Sequence, residues 1–180
     1  MPDQDKRGAV VASAKVPGKR PSASLPKLNL CGDIGLKIGR DGTWYYQGGP
    51  IGRKGLVKLF ASVLRLEDDG NYYLVTPVEK LDIEVEDAPF VAVELKAEGE
   101  GESASLAFRL NTGDLVVAGP DRPLRFEAGP EGPHPYVRVR GGLDALVARP
   151  VYYELAELAL AGAGPPGLWS CGSFFPMGPE

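Results

Sequence analysis

The chain has 180 residues, 43% of them apolar and 24% charged, with a net charge of −4, the balance of a globular protein able to bury a core. No apolar run approaches the ~18 residues of a membrane span, and the N-terminus lacks the apolar stretch of a secretion signal. One histidine and two distant cysteines, Cys31 and Cys171, cannot furnish a four-ligand zinc site, so the expectation is a cytoplasmic protein with free thiols, no membrane contact and no cofactor.

Charge is uneven. Residues 1–28 carry a net charge of +4 and the remainder −8. An acidic body is repelled by phosphate backbones, so no nucleic-acid partner is expected. The Pro-, Ser- and Ala-rich residues 1–24 read as a disordered basic leader, with order beginning near Leu25.

In "LKIGRDGTWYYQG" the Asp41-Gly42 turn precedes a strand carrying Trp44, Tyr45 and Tyr46. Apolar residues at 56, 59, 60, 63 and 64 then have helical spacing. "NYYLVTP" and "KLDIEVED" read as strands separated by Pro77, the second alternating Leu81, Ile83 and Val85 with acidic residues. "FVAVELKAEGEGESASLAFRL" reads as a long hairpin with an acidic tip at Glu98 to Glu102, and "LVVAG", "LRFEA" and "PYVRVR" as further strands. "LDALVARPVYYELAELALAG" reads as helical, divided near Pro150 into a short piece and a last helix over 151–161. The apolar, glycine-rich tail reads as an irregular cover. The result is an α+β, strand-rich fold with high glycine and proline content, 24 and 17 residues, and few helices.

One internal echo pairs "IGRKGLVKLFASVL" with "VARPVYYELAELAL" at an offset of 96 residues, matching Arg53 to Arg149 and Leu64 to Leu160. It suggests duplication, each half contributing strands and one helix. The expected units are 25–85 and 86–176, with 177–180 as a tail.

Chemical motifs are weak. Gly48 to Gly55 fails as a nucleotide loop, because Lys54 is displaced, no Ser or Thr follows it, and Pro50 removes an N–H. What survives is a bend launching a helix, with secondary anion affinity at Arg53 and Lys54. His134 stands alone between prolines, and Cys171 has no basic neighbour to activate it. The "WYY" aromatics and "LVTPVEK", with Thr76, Glu79 and Lys80 at a strand break, are candidates for the edge of a cleft.

The ordered string from "WYYQGGPIGRKGLVKLF" through "NTGD" and "GLDALVARPVYYELAELA" to "GLWSCGSFFP" resembles the bacterial family called domain of unknown function 1285, over about Gly32 to Pro176. The resemblance implies a duplicated core of two small domains, each a mostly antiparallel sheet or partial barrel. It implies a C-terminal part loosely like a pleckstrin-homology barrel capped by a helix, and a binding or signal-transduction role at the cleft between the halves. It implies no catalytic residue.

The resulting expectation is a non-enzymatic module binding a small anionic ligand or a protein at the interface of the halves, with Trp44, Tyr46, Arg53, Thr76, Glu79, Lys80, Asn111 and Arg149 lining the site. A hydrolase or transferase using buried carboxylates, and a structural protein-interaction subunit, are the alternatives.

Overall fold

The computed structural model describes residues 30–31, 34–129, 132–162 and 164–177; the basic leader and the expected start of order near Leu25 lie outside the described residues. The first half begins with β1 (Leu30–Cys31), β2 (Leu36–Ile38), β3 (Trp44–Tyr46) and β4 (Gly49–Pro50). Gly42 closes the β2–β3 turn at φ +78°, a region that favours glycine, and Asp41 accepts the Thr43 N–H and hydroxyl there. Next come α1 (Lys54–Val63) and the meander β5 (Leu64–Leu66), β6 (Tyr72–Val75) and β7 (Lys80–Val85). The sheet order is β4-β3-β2-β7-β6-β5, with β1 also parallel to β7.

The second half contains β8 (Phe90–Glu98), β9 (Ser105–Leu110), β10 (Leu115–Val117), β11 (Leu124–Glu127), β12 (His134–Arg140) and β13 (Leu143–Val147), in the order β10-β9-β8-β13-β12-β11. It ends with α2 (Arg149–Ala161) and the hairpin of β14 (Gly167–Ser170) with β15 (Ser173–Pro176). The two sheets share one plan. Leaving β1 aside, in each sheet two antiparallel meanders meet through a parallel pair made of the first and sixth strands, β2 with β7 and β8 with β13. The register of that pair also matches: Lys37 and Ile38 stand opposite Glu84 and Val85, as Val91 and Ala92 stand opposite Leu146 and Val147.

The helices break the correspondence. α1 joins the third strand of its sheet to the fourth, whereas α2 follows the sixth strand, so the echo at an offset of 96 residues does not align equivalent elements. The strands align at another offset, with Leu81-Asp82 in β7 matching Leu143-Asp144 in β13, 62 residues later. Residues 143–147, expected to be helical, form β13 instead. Gly141 and Gly142, at φ +48° and +81°, make a two-residue hairpin turn that folds "LDALV" back on β12. The tail is a hairpin rather than an irregular cover, turned by Cys171 and Gly172 at φ +48° and +74°.

Helical periodicity at 54–63 holds with a shifted face. Leu59 is 59% exposed, while Ala61 is buried and Val57 and Phe60 pack on the core. In α2 the buried positions Val151, Leu155 and Ala159 recur every four residues. Trp44, Leu64 and Leu74 from the first half join Phe90, Phe108, Val137 and Leu155 from the second in one continuous core. Among the described residues, no helix is long and apolar enough to cross a membrane.

Candidate ligand site at the seam of the two sheets

The halves are fastened by side chains that satisfy backbone groups across the seam. Asn111, in the turn after β9, donates from Nδ2 to the Gly42 carbonyl at 3.1 Å and accepts the Val91 N–H at 3.2 Å. Arg140, at the end of β12, donates to the carbonyls of Ala61 at 2.6 Å and Leu64 at 3.4 Å, closing the C-terminal end of α1. The Leu64 N–H also caps the Ala61 carbonyl, and this end carries the negative pole of the helix dipole, which suits a guanidinium. Burial, and Arg65 nearby, lower the pKa of Arg140; the helix end compensates a charge that is costly to cover. Asp87, between the two sheets, accepts the Tyr136 hydroxyl at 2.8 Å and pairs with Arg40 Nε at 3.1 Å.

Beyond this fastening lies a cavity of about 500 Å³. Arg40 enters it from the first half; His134, Arg149, Tyr152 and Tyr153 enter from the second. Arg40 is placed by the β2–β3 turn, where its N–H donates to Glu86 Oε2 at 2.9 Å. His134 opens β12 opposite Glu127. Arg149 is the first residue of α2, with Pro150 behind it and no acidic residue in the first turn. A cation there opposes the positive end of the helix dipole. Arg149 Nε donates to the Tyr153 hydroxyl at 3.3 Å, and the Tyr152 and Tyr153 rings lie 5.8 Å apart at 51°. Two guanidiniums, an imidazole and two phenols can grip an oxyanion and offer an aromatic wall.

Arg40 also borders a second cavity, of about 600 Å³, on the first sheet, with Lys37, Asp41, Glu84 and Glu86 around it. Lys37 pairs with Glu86 at 2.7 Å and Glu84 at 3.2 Å. The Lys37 ammonium, then the Arg40 N–H, hold Glu86 below the usual carboxylate range; the Thr43 N–H and hydroxyl do the same for Asp41.

The eight residues expected to line one site are dispersed. Arg149 alone among them borders the seam cavity. Trp44 is 1% exposed, stacked near Phe60 in the core, and Tyr46 stands half-exposed on β3. Arg53 is the exposed residue preceding α1. The Thr76 hydroxyl donates to the Glu79 carbonyl and accepts the Glu79 N–H, forming the β6–β7 turn. Lys80 pairs with Glu67 at 2.7 Å and covers the Tyr73 ring. Asn111 is spent on the seam itself. Arg40, His134, Tyr152 and Tyr153 were not among the expected site residues, and the local signal for such a site was a cation in the first turn of α2, where the helix dipole disfavours it.

The comparisons agree with this two-part plan. Residues 25–88 match the model "Domain of unknown function (DUF1285), N-terminal domain", and residues 89–177 match "Protein of unknown function (DUF1285), C-terminal domain". The chain belongs to the DUF1285 family. It is similar to the crystal structure of a DUF1285 family protein from Silicibacter pomeroyi DSS-3, at 47% identity and a TM-score of 0.78, over 91% of this chain and 89% of that one. A DUF1285 family protein from Shewanella baltica OS155 is 28% identical, with a TM-score of 0.55, over 69% of this chain and 92% of the other. No curated protein is similar enough to match.

Proposed function

We propose that this DUF1285 protein is a binding module whose seam cavity receives a small anionic ligand, a carboxylate or phosphate ester. The observation carrying the reading is the convergence of Arg40 and Arg149, from opposite halves, on one cavity with His134, Tyr152 and Tyr153. A ligand held by both arginines couples the two sheets, the physical basis of a signalling role. The order of meanders capped by α2 supports a loose pleckstrin-homology likeness of the second half, and the shared strand order supports internal duplication.

A carboxylate-based enzyme is less well supported. Asp87 and Asp144, with side chains 16% exposed, are engaged in fixed pairs, Asp144 with Arg125 at 2.9 Å and Arg138 at 2.6 Å. In the cavity on the first sheet, Asp41 and Glu86 shift in the same direction, whereas an acid–base pair needs opposed shifts.

Thermal denaturation with phosphorylated metabolites and organic acids tests the reading. A ligand at a hundredfold its Kd stabilises the folded chain by about 2.7 kcal/mol, and Arg149→Gln removes that response while leaving the unliganded Tm within a few degrees. A panel in which no anion raises the Tm of the unsubstituted protein refutes it.

A further inference from the structure

The two helices end in opposite ways. Arg140 and Arg65 donate to the carbonyls at the C-terminal end of α1. α2 has no basic residue in its last turn, and among the described residues no capping hydrogen bond from Gly162. Its end opens instead on a groove of about 690 Å³ between α2, the β8–β9 hairpin and β14–β15. Leu106, Leu158, Leu168, Trp169 and Phe174 give the groove an apolar floor, the last two rings lying 5.3 Å apart. Glu98 and Glu100 stand on the rim, and Glu102 follows in the adjoining 3-10 turn. Lys96 pairs with Glu98 at 2.7 Å; among the described residues Glu100 and Glu102 have no ion-pair partner. An apolar bed beside a negative helix end and two acidic side chains repels anionic amphiphiles. It suits an extended segment that sets lysine or arginine beside apolar side chains.

We infer that this groove is the docking site of the chain's own basic N-terminal stretch, residues 1–28. That segment supplies the complementary chemistry: Val11, Lys15, Val16, Lys19 and Arg20 fall within one ten-residue stretch, in a region of net charge +4 on an otherwise acidic chain. About 25 extended residues reach ~80 Å. The groove offers Leu158 and Trp169 to apolar side chains, and the α2 carbonyls and the acidic rim to cations. The inference is independent of the seam site.

Limited tryptic digestion of the full chain tests it by following cleavage after Lys15 and Lys19. Docking makes both cleavages about tenfold slower than in the Glu100→Gln/Glu102→Gln variant, whose substituted side chains are exposed and without ion-pair partners among the described residues. Acrylamide quenching is the second readout. It reports Trp169, because Trp44 is 1% exposed, and it strengthens in the same variant, in Leu158→Ser, and in the unsubstituted chain at about 1 M salt, where the screening length falls to about 3 Å. Equal cleavage and equal quenching in all proteins overturn the inference. Protection that grows with protein concentration also overturns it, since the segment then comes from a second copy.

Discussion

The two sheets of this DUF1285 protein share strand order and central register, yet they use their connections differently. In the first sheet the link from third to fourth strand is α1, which carries Phe60 against Trp44 and presents its C-terminal carbonyls to Arg140. In the second the same link is the short run after β10, closed by a bridge between Gly119 and Arg122, and the helix is displaced to the chain's end. Strand order follows from hairpins and hydrogen-bond register, which tolerate few alternatives. A helix needs only an apolar surface to cover, and can enter at any connection that reaches one. The first half therefore spends its helix on the seam. The second spends its helix on an outer face, where the first turn borders the seam cavity and the last turn borders the groove.

Glycine turns sharpen this contrast between seam and periphery, with the largest expected effect. Gly42 and Gly48 both lie in the first sheet at φ +78° and +79°. A Cβ on Gly42 would stand 2.5 Å from Asn111 Nδ2 and 2.8 Å from Val91 Cγ2, whereas one on Gly48 meets nothing within 4 Å. Gly42→Ala is expected to cost about 2–4 kcal/mol, backbone strain plus a displaced seam contact. Gly48→Ala should cost about 1 kcal/mol, the strain alone. Urea unfolding of the two variants measures the difference; equal costs would mean that the Asn111 contact does not hold the halves.

Arg140→Met comes next. It leaves the Ala61 carbonyl without its charged donor, while Leu64 keeps Arg65, and a loss of about 2 kcal/mol is expected. Arg140→Lys should restore part of it, as one ammonium reaches one carbonyl. Helix-level circular dichroism that stays unchanged while the unfolding midpoint falls would place the cost at the seam. A midpoint that does not move would mean that relief of the buried charge offsets the lost bonds.

Much of the architecture was legible in local patterns, and the misses share a cause. Alternation at Leu81, Ile83 and Val85 marked β7 because one side of that strand faces water. "LDALV" has similar alternation, but it abuts "ARPVYYELAELA", whose helical period extends backward over it; the Gly-Gly turn is the deciding signal. The tail hairpin was hidden because its turn uses Cys171, a residue uncommon at positive φ. Site residues were less legible. Trp44 and Asn111 look like ligand contacts in sequence because aromatic and amide side chains serve packing and recognition alike; only tertiary placement reveals that one fills the core and the other joins the halves. Arg40 and Arg149 are 109 residues apart in the chain, and no local spacing announces that they border one cavity.

The smallest expected effect isolates the polar fastening from the apolar core. Burial, then the hydrogen bond to Asp87, push the Tyr136 hydroxyl well above its ordinary value near 10. A raised folded-state pKa stabilises the protein fully below the unfolded value and is lost as pH rises through the folded one. The Tyr136 contribution should therefore be constant to about pH 10 and decline above it, because the unfolded phenol ionises while the folded one resists. Tyr136→Phe removes the bond and the titration together. At pH 8 the variant should be about 1 kcal/mol less stable, with Asp87 still paired to Arg40. Between pH 10 and 11 that deficit should shrink, since the tyrosine protein alone pays to keep this proton. Urea unfolding of both proteins at matched pH gives the difference directly, and the other titrating groups, common to both, cancel. A deficit that widens with alkalinity would mean that Tyr136 ionises more readily in the folded chain, and that the seam is wet where the geometry makes it dry.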